Sequence, residues 1–195
     1  MWRVSYLIVK LFFRCIEYLR GIHLFVLINA CGGKCKSIPR VGKGLVLKYP
    51  PHSGYLIGRG CDIGAFCVFD VPPSGKLKIE DNVKLTSSVF VSVANEVSIG
   101  EGALIAEGAA LRDSQHQYDR GEFVRKQGLC LGKIKLGKDV WVGRCSSVLM
   151  NSELGDGCIV GAHSLVKEQS LASDGVYVGV PVRLVKMRSL RDAND

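Results

Sequence analysis

A chain of 195 residues, 47% hydrophobic and 23% charged, is long enough to bury one core and too apolar to stay disordered. Its formal charge of +8 sits at the start, where Arg3, Lys10, Arg14, Arg20, Lys34, Lys36, Arg40, Lys43 and Lys48 face Glu17 alone, while residues 49–195 balance. The eight cysteines are irregularly spaced and Cys31–Cys35 lacks a matching second pair, which argues against a disulfide framework or a zinc site. A reduced, cytoplasmic chain that holds no metal is the expectation. With 8% aromatic residues and no interleaving of basic and aromatic side chains, nucleic acid is not an expected partner.

The first predicted element is a helix. Val4, Leu7, Ile8, Leu11, Phe12, Cys15, Ile16 and Leu19 share a face, with Lys10, Arg14, Glu17 and Arg20 mostly elsewhere. The longest uncharged run, Gly21 to Gly33, is thirteen residues, short of the ~20 that a bilayer span needs. An amphipathic helix that packs on the domain or lies on the inner face of a membrane fits better, and the local basic surplus suits an anionic surface. Residues 1–48 therefore read as a basic helix followed by a linker.

A repeat then begins. Aliphatic side chains recur at every sixth position in Ile57 and Ile63, in Ile79, Leu85, Val91 and Val97, in Ile99, Ile105 and Leu111, and in Leu136, Val142, Val148, Leu154, Val160 and Val166. Glycine often follows, as at Gly58, Gly64, Gly100, Gly137, Gly143, Gly155 and Gly161. Four residues after the aliphatic the side chain is small or β-branched, as at Cys61, Cys67, Ala103, Ala109, Ser146, Cys158 and Ser164. A period of six is neither helical nor alternating. It requires short flat sides joined by turns, with large and small inward positions filling a narrow prism, and glycine is expected to relieve the backbone at each turn. The period fails once, between Leu111 and Leu136, and a break of that length in a compact repeat fold reads as a functional loop.

This ladder resembles the hexapeptide-repeat acyltransferases, in the branch of the galactoside, maltose and polysaccharide O-acetyltransferases, over about residues 57–185. The resemblance implies a mainly β fold, a left-handed parallel β-helix at 49–185 with an extruded loop at 112–135, preceded by the amphipathic helix and followed by a polar tail at 186–195. It also implies acetyl-CoA as co-substrate, a carbohydrate acceptor and a homotrimer with active sites between neighbouring prisms.

Site residues follow from the same motifs. Leu111-Arg112-Asp113-Ser114-Gln115-His116 resembles the family's aspartate-then-histidine signature where its loop leaves the β-helix. Transfer to an alcohol needs a base near neutrality, so His116 is the expected general base, with Asp113 a candidate to orient its ring. Trp141-Val142-Gly143-Arg144 resembles the stretch lining the acetyl and pantetheine channel, so Trp141 and Gly143 are expected there, and the Arg144 amide is placed to stabilise an oxyanion. Gly161-Ala162-His163-Ser164 and Val178-Gly179-Val180-Pro181-Val182-Arg183 resemble the coenzyme-binding turns, which implies that the Ala162 backbone contacts pantetheine and that Lys167 and Arg183 approach the phosphates. His23 reads as a packing or interfacial residue, His52 as a loop residue, and His163 as a turn residue bordering the coenzyme channel without reacting. The expected reaction is O-acetylation of a surface polysaccharide or its lipid-linked precursor. N-acetylation of a nucleotide-linked amino sugar, acetylation of a xenobiotic, and a non-catalytic β-helix assembly module are the alternatives.

Overall fold

A computed structural model describes residues 2–189. Helix α1, Trp2–Ala30, leads into a three-sided prism of parallel β-strands. Each coil of the prism contributes one short strand to each of three sheets. Strands of two to four residues stack in register, so Ile57, Ile79, Ile99, Leu136 and Leu154 form one continuous column. Ile63, Leu85, Ile105, Val142 and Val160 form a second column, and Val91, Leu111, Val148 and Val166 a third. All of these side chains are buried. The six-residue period is thus one side of the prism, and backbone groups pair between coils, as when the Gly58 amide donates to the Ile79 carbonyl at 2.8 Å.

The small inward positions complete the packing. Cys61, Cys67 and Cys158 lie buried at them, and burial pushes the Cys61 and Cys158 thiols up to about 11, so they act as inert filler. The glycine after each aliphatic has a different role from the expected one. At Gly143 a Cβ would lie 2.6 Å from the Ala162 amide nitrogen of the next coil, so glycine there permits close stacking of coils. The left-handed conformation falls two residues later, at φ 54° for Cys145 and 55° for His163.

Two boundaries differ from the sequence reading. Residues 34–47 form a first coil, with Cys35 and Val41 stacked on Ile57 and Ile63, so the prism begins before residue 49. The six-residue period extends into this coil as Cys35, Val41 and Leu47, stacked on Ile57, Ile63 and Phe69, but with a cysteine in place of its first aliphatic. The last parallel strand is Gly175–Val178, after which Arg183–Met187 turns back antiparallel and closes the other end. Of the tail at 186–195, residues 190–195 lie outside the described residues.

Helix α1 covers the open end of the first coil. Leu24 and Ile28 are buried there, and Gly21 passes so close to Pro39 that a Cβ would clash with its carbonyl. Asn29 replaces the missing strand: its side chain accepts from the Cys35 amide and donates to the Cys35 carbonyl, each at 3.2 Å. Among the described residues no helix is long and apolar enough to cross a membrane.

Candidate active site

The third sheet releases the chain after Ala110–Arg112, and the first sheet recovers it at Lys133–Leu136, so the excursion spans 113–132. Its base is a two-stranded antiparallel hairpin, Ser114–His116 against Leu129–Leu131. Its tip is held by Gln127, which accepts from the Asp119 amide at 2.8 Å and donates to the Asp119 and Glu122 carbonyls at 2.8 and 2.7 Å. Tyr118 and Phe123 project from this loop, 69% and 71% exposed.

His116 ends the first hairpin strand with its ring exposed. It borders a cleft of about 300 Å³ shared with Arg112, Gln115, Tyr118, Leu149 and Met150. Among the described residues no hydrogen bond engages the His116 ring, which leaves a nitrogen able to accept a proton.

Asp113 has another role than the one expected. Its side chain is fully buried, and its carboxylate accepts from the Ala94 and Asn95 amides at 2.7 and 2.8 Å. Its own carbonyl accepts from Gly132 at 2.7 Å, where the loop returns. Asn95 donates to the Gly132 carbonyl at 2.9 Å and completes the clamp. Burial pushes the Asp113 carboxyl above its ordinary range, against the opposing pull of these amides. Asp113 thus pins both ends of the loop and positions His116 through the backbone. Both carboxylate oxygens are committed to amides, so the ring is not oriented by this side chain.

The second group of residues lies on the next corner of the prism, between the second and third sheets. Trp141 stands on the outer surface of the second sheet, 47% exposed, in the rung between Leu104 and Ile159. Gly143 is buried at the turn, and Arg144 extends outward to Glu107 at 3.5 Å. Among the described residues neither the Arg144 amide nor the Ala162 amide has a hydrogen-bond acceptor. The corner also stacks coil on coil, since the His163 amide donates to the Arg144 carbonyl at 2.8 Å.

Two serines that the repeat presents only as small residues hold this corner. The Ser146 hydroxyl donates to the Gly161 carbonyl at 2.7 Å and accepts from the Ser164 amide at 3.1 Å. The Ser164 hydroxyl accepts from the Gly179 amide at 3.0 Å. Hydroxyls in an otherwise apolar inward column are the signal that could have identified them. Lys167 is half-buried and Arg183 exposed, and among the described residues neither is in an ion pair. Within one chain these residues do not join His116: none of Trp141, Gly143, Arg144, Ala162, Lys167 and Arg183 lines its cleft. Among the described residues no group of three or more metal-ligating side chains stands together.

No protein-family model matches the chain. Rv3034c of Mycobacterium tuberculosis, named as an acetyltransferase, is 29% identical over 152 residues, covering 77% of this chain and 50% of the relative. WbbJ of Escherichia coli, named for lipopolysaccharide-biosynthesis O-acetyl transfer, is 28% identical over 124 residues, covering 57% of this chain and 61% of the relative. The chain thus spans about half to three fifths of the length of these relatives. Among solved structures, AntD, an N-acyltransferase from Bacillus cereus determined with dTDP and coenzyme A, superposes with a TM-score of 0.65 at 26% identity, covering 77% of this chain and 83% of that one. The prism is the left-handed β-helix of these hexapeptide-repeat neighbours, as the family resemblance implied.

Proposed function

We propose that this hexapeptide-repeat protein, whose relatives are acetyltransferases and acyltransferases, moves an acetyl group from acetyl-CoA to a sugar. The observations that carry the reading are an exposed imidazole at the base of the loop and, on another corner of the prism, Arg144 and Ala162 amides that have no acceptor among the described residues. His116 takes the proton of the acceptor hydroxyl as its oxygen attacks the thioester carbonyl. The Arg144 amide receives the developing oxyanion, and the Ala162 amide holds the pantetheine chain. Collapse of the tetrahedral intermediate breaks the carbon–sulfur bond. The imidazolium then returns its proton to the thiolate, which leaves as free coenzyme A.

A homotrimer would bring the two halves together, with His116 of one subunit meeting the open corner of the next. The exposed Tyr118 and Phe123 on the loop give such a contact an apolar anchor. Lys167 and Arg183, without an ion pair among the described residues, would face the nucleotide phosphates.

For the acceptor atom, the likeness to WbbJ supports a hydroxyl of a surface glycan or its precursor. The likeness to AntD, solved with dTDP and coenzyme A, supports a second reading in which the acceptor is an amine on a nucleotide-linked sugar. Both are tested by following free-thiol release from acetyl-CoA across glycans, sugars and nucleotide-linked amino sugars. Acceptor-dependent release should fall at least ~100-fold in His116→Ala, the scale of a lost general base. Absence of release with every acceptor, together with no binding of coenzyme A, would instead mark an assembly module.

A further inference from the structure

Helix α1 meets the body through one end only. Gly21, Leu24 and Ile28 dock on the first coil, whereas Ile8, Phe12, Leu19, Ile22 and Val26 are all exposed. At about 100° per residue these five, with Leu11, fall on one arc of the helix, and the docking residues fall on the opposite arc. Lys10, Arg14 and Glu17 continue the docking arc toward the start of the chain. Apart from Leu19, which edges a groove against the first coil, the apolar arc looks away from the prism, and the charged stripe, with Tyr6 and Phe13 beside it, lies on the side of the body.

We infer that α1 lays this arc into the interfacial region of a bilayer carrying anionic lipid and holds the β-helix above the membrane. The spacing Ile8, Phe12, Cys15, Leu19, Ile22, Val26 alternates four and three, which also suits a seam between helices. In a coiled coil, however, the positions flanking the seam carry charges, and here they are Val9, Leu11, Ile16 and Tyr18. A seam would leave that broad apolar surface wet, whereas a lipid interface covers all of it. The surface continues into an apolar groove of about 530 Å³ between α1 and the first coil, with Leu19 belonging to both. Charge selects the lipid: of the nine basic side chains in residues 1–48, Lys36, Arg40 and Lys48 pair with Asp81, Asp62 and Asp70, and the rest leave a surplus that attracts an anionic headgroup layer.

The test is flotation of the full chain with vesicles of phosphatidylcholine alone or mixed with phosphatidylglycerol. Solution mass is measured alongside by light scattering. Neither acyl donor nor acceptor is present, so the outcome is independent of the transferase reading. The chain should float with the anionic vesicles, less so with neutral ones or in high salt. Ile8→Glu/Phe12→Glu should reduce binding roughly tenfold or more while helix content and solution mass stay unchanged. Failure of the unaltered chain to float would overturn the inference. So would a double variant that floats as before, or one that lowers the solution mass of a chain that never bound vesicles, which would assign the arc to contacts between copies.

Discussion

The prism has two rows of glycine-lined turns, built alike and finished differently. At three turns following the first sheet acidic side chains claim the exposed amide: Asp81 accepts from Arg59 at 3.0 Å, Glu80 from Glu101 at 3.3 Å and Asp156 from Lys138 at 2.8 Å, while the Asp81 and Asp156 amides have no acceptor among the described residues. At the turns following the second sheet, the matching amides of Ala65, Glu107, Arg144 and Ala162 have no acceptor among the described residues. An unclaimed amide at an exposed turn is satisfied by water at little cost, and a ligand can displace that water. One row is therefore capped by the chain itself at three of its turns, and the other carries no such side-chain caps and is left able to bind a carbonyl chain.

The sharpest way to break this contrast is to crowd one turn in each row. In Gly143→Ala the new Cβ would meet the Ala162 nitrogen at 2.6 Å, and in Gly137→Ala it would meet the Asp156 amide nitrogen at 2.7 Å. Each should lose about 3 kcal/mol of stability, because the obstacle is backbone. Thermal melting should show similar losses for both, whereas KM for acetyl-CoA should rise only for Gly143→Ala. Equal effects on KM would erase the distinction between the rows.

The loop clamp comes next. Asp113→Ala orphans two amides and should cost about 2–3 kcal/mol by denaturant titration, with kcat falling although His116 remains. The sign of its pH dependence follows from the raised carboxyl. Stability contributed by this group is fully present below the ordinary carboxylate value of about 4. It is lost as pH rises through the raised folded-state value. Asp113→Asn should remove that acid-side slope, and an unchanged slope would show that the carboxyl does not titrate in this window.

The smallest effects separate the two ways of holding a turn. Ser146→Ala leaves the Ser164 amide without its acceptor and should cost about 1–2 kcal/mol with a rise in KM for acetyl-CoA. Asp156→Ala, at a solvent-facing turn, should cost about 1 kcal/mol and leave steady-state kinetics unchanged.

Much of this was legible in the sequence because the period of six is a packing rule. Every aliphatic from Ile57 to Val166 in the ladder is buried, since each coil must fill the same triangular section. The first coil was missed although Cys35, Val41 and Leu47 keep the six-residue spacing, because a cysteine stands at its first inward position and the run is only three residues long. The loop was found where the period stops, and His116 within it. Its neighbour Asp113 suggested a ring-orienting pair from spacing alone, yet a buried carboxylate goes to the nearest unpaired amides, and those belong to the coil above, at Ala94 and Asn95. Adjacency along the chain carries no information about such cross-coil bonds. The serine ladder at Ser146 and Ser164 escaped notice for the same reason, since size, not hydrogen bonding, defines the repeat.

The central claim is that His116 of one subunit works against the open corner of another. It is tested most directly by mixing two inactive variants. His116→Ala removes the base, and Ala162→Trp, at an exposed position, blocks the corner. Coexpressed in equal amounts, they should assemble trimers in which about one site in four pairs an intact histidine with an intact corner. Acetyl transfer should then return to about a quarter of the unaltered rate. Mixed assemblies that form but stay inactive would place both halves of the site in a single chain and contradict the account.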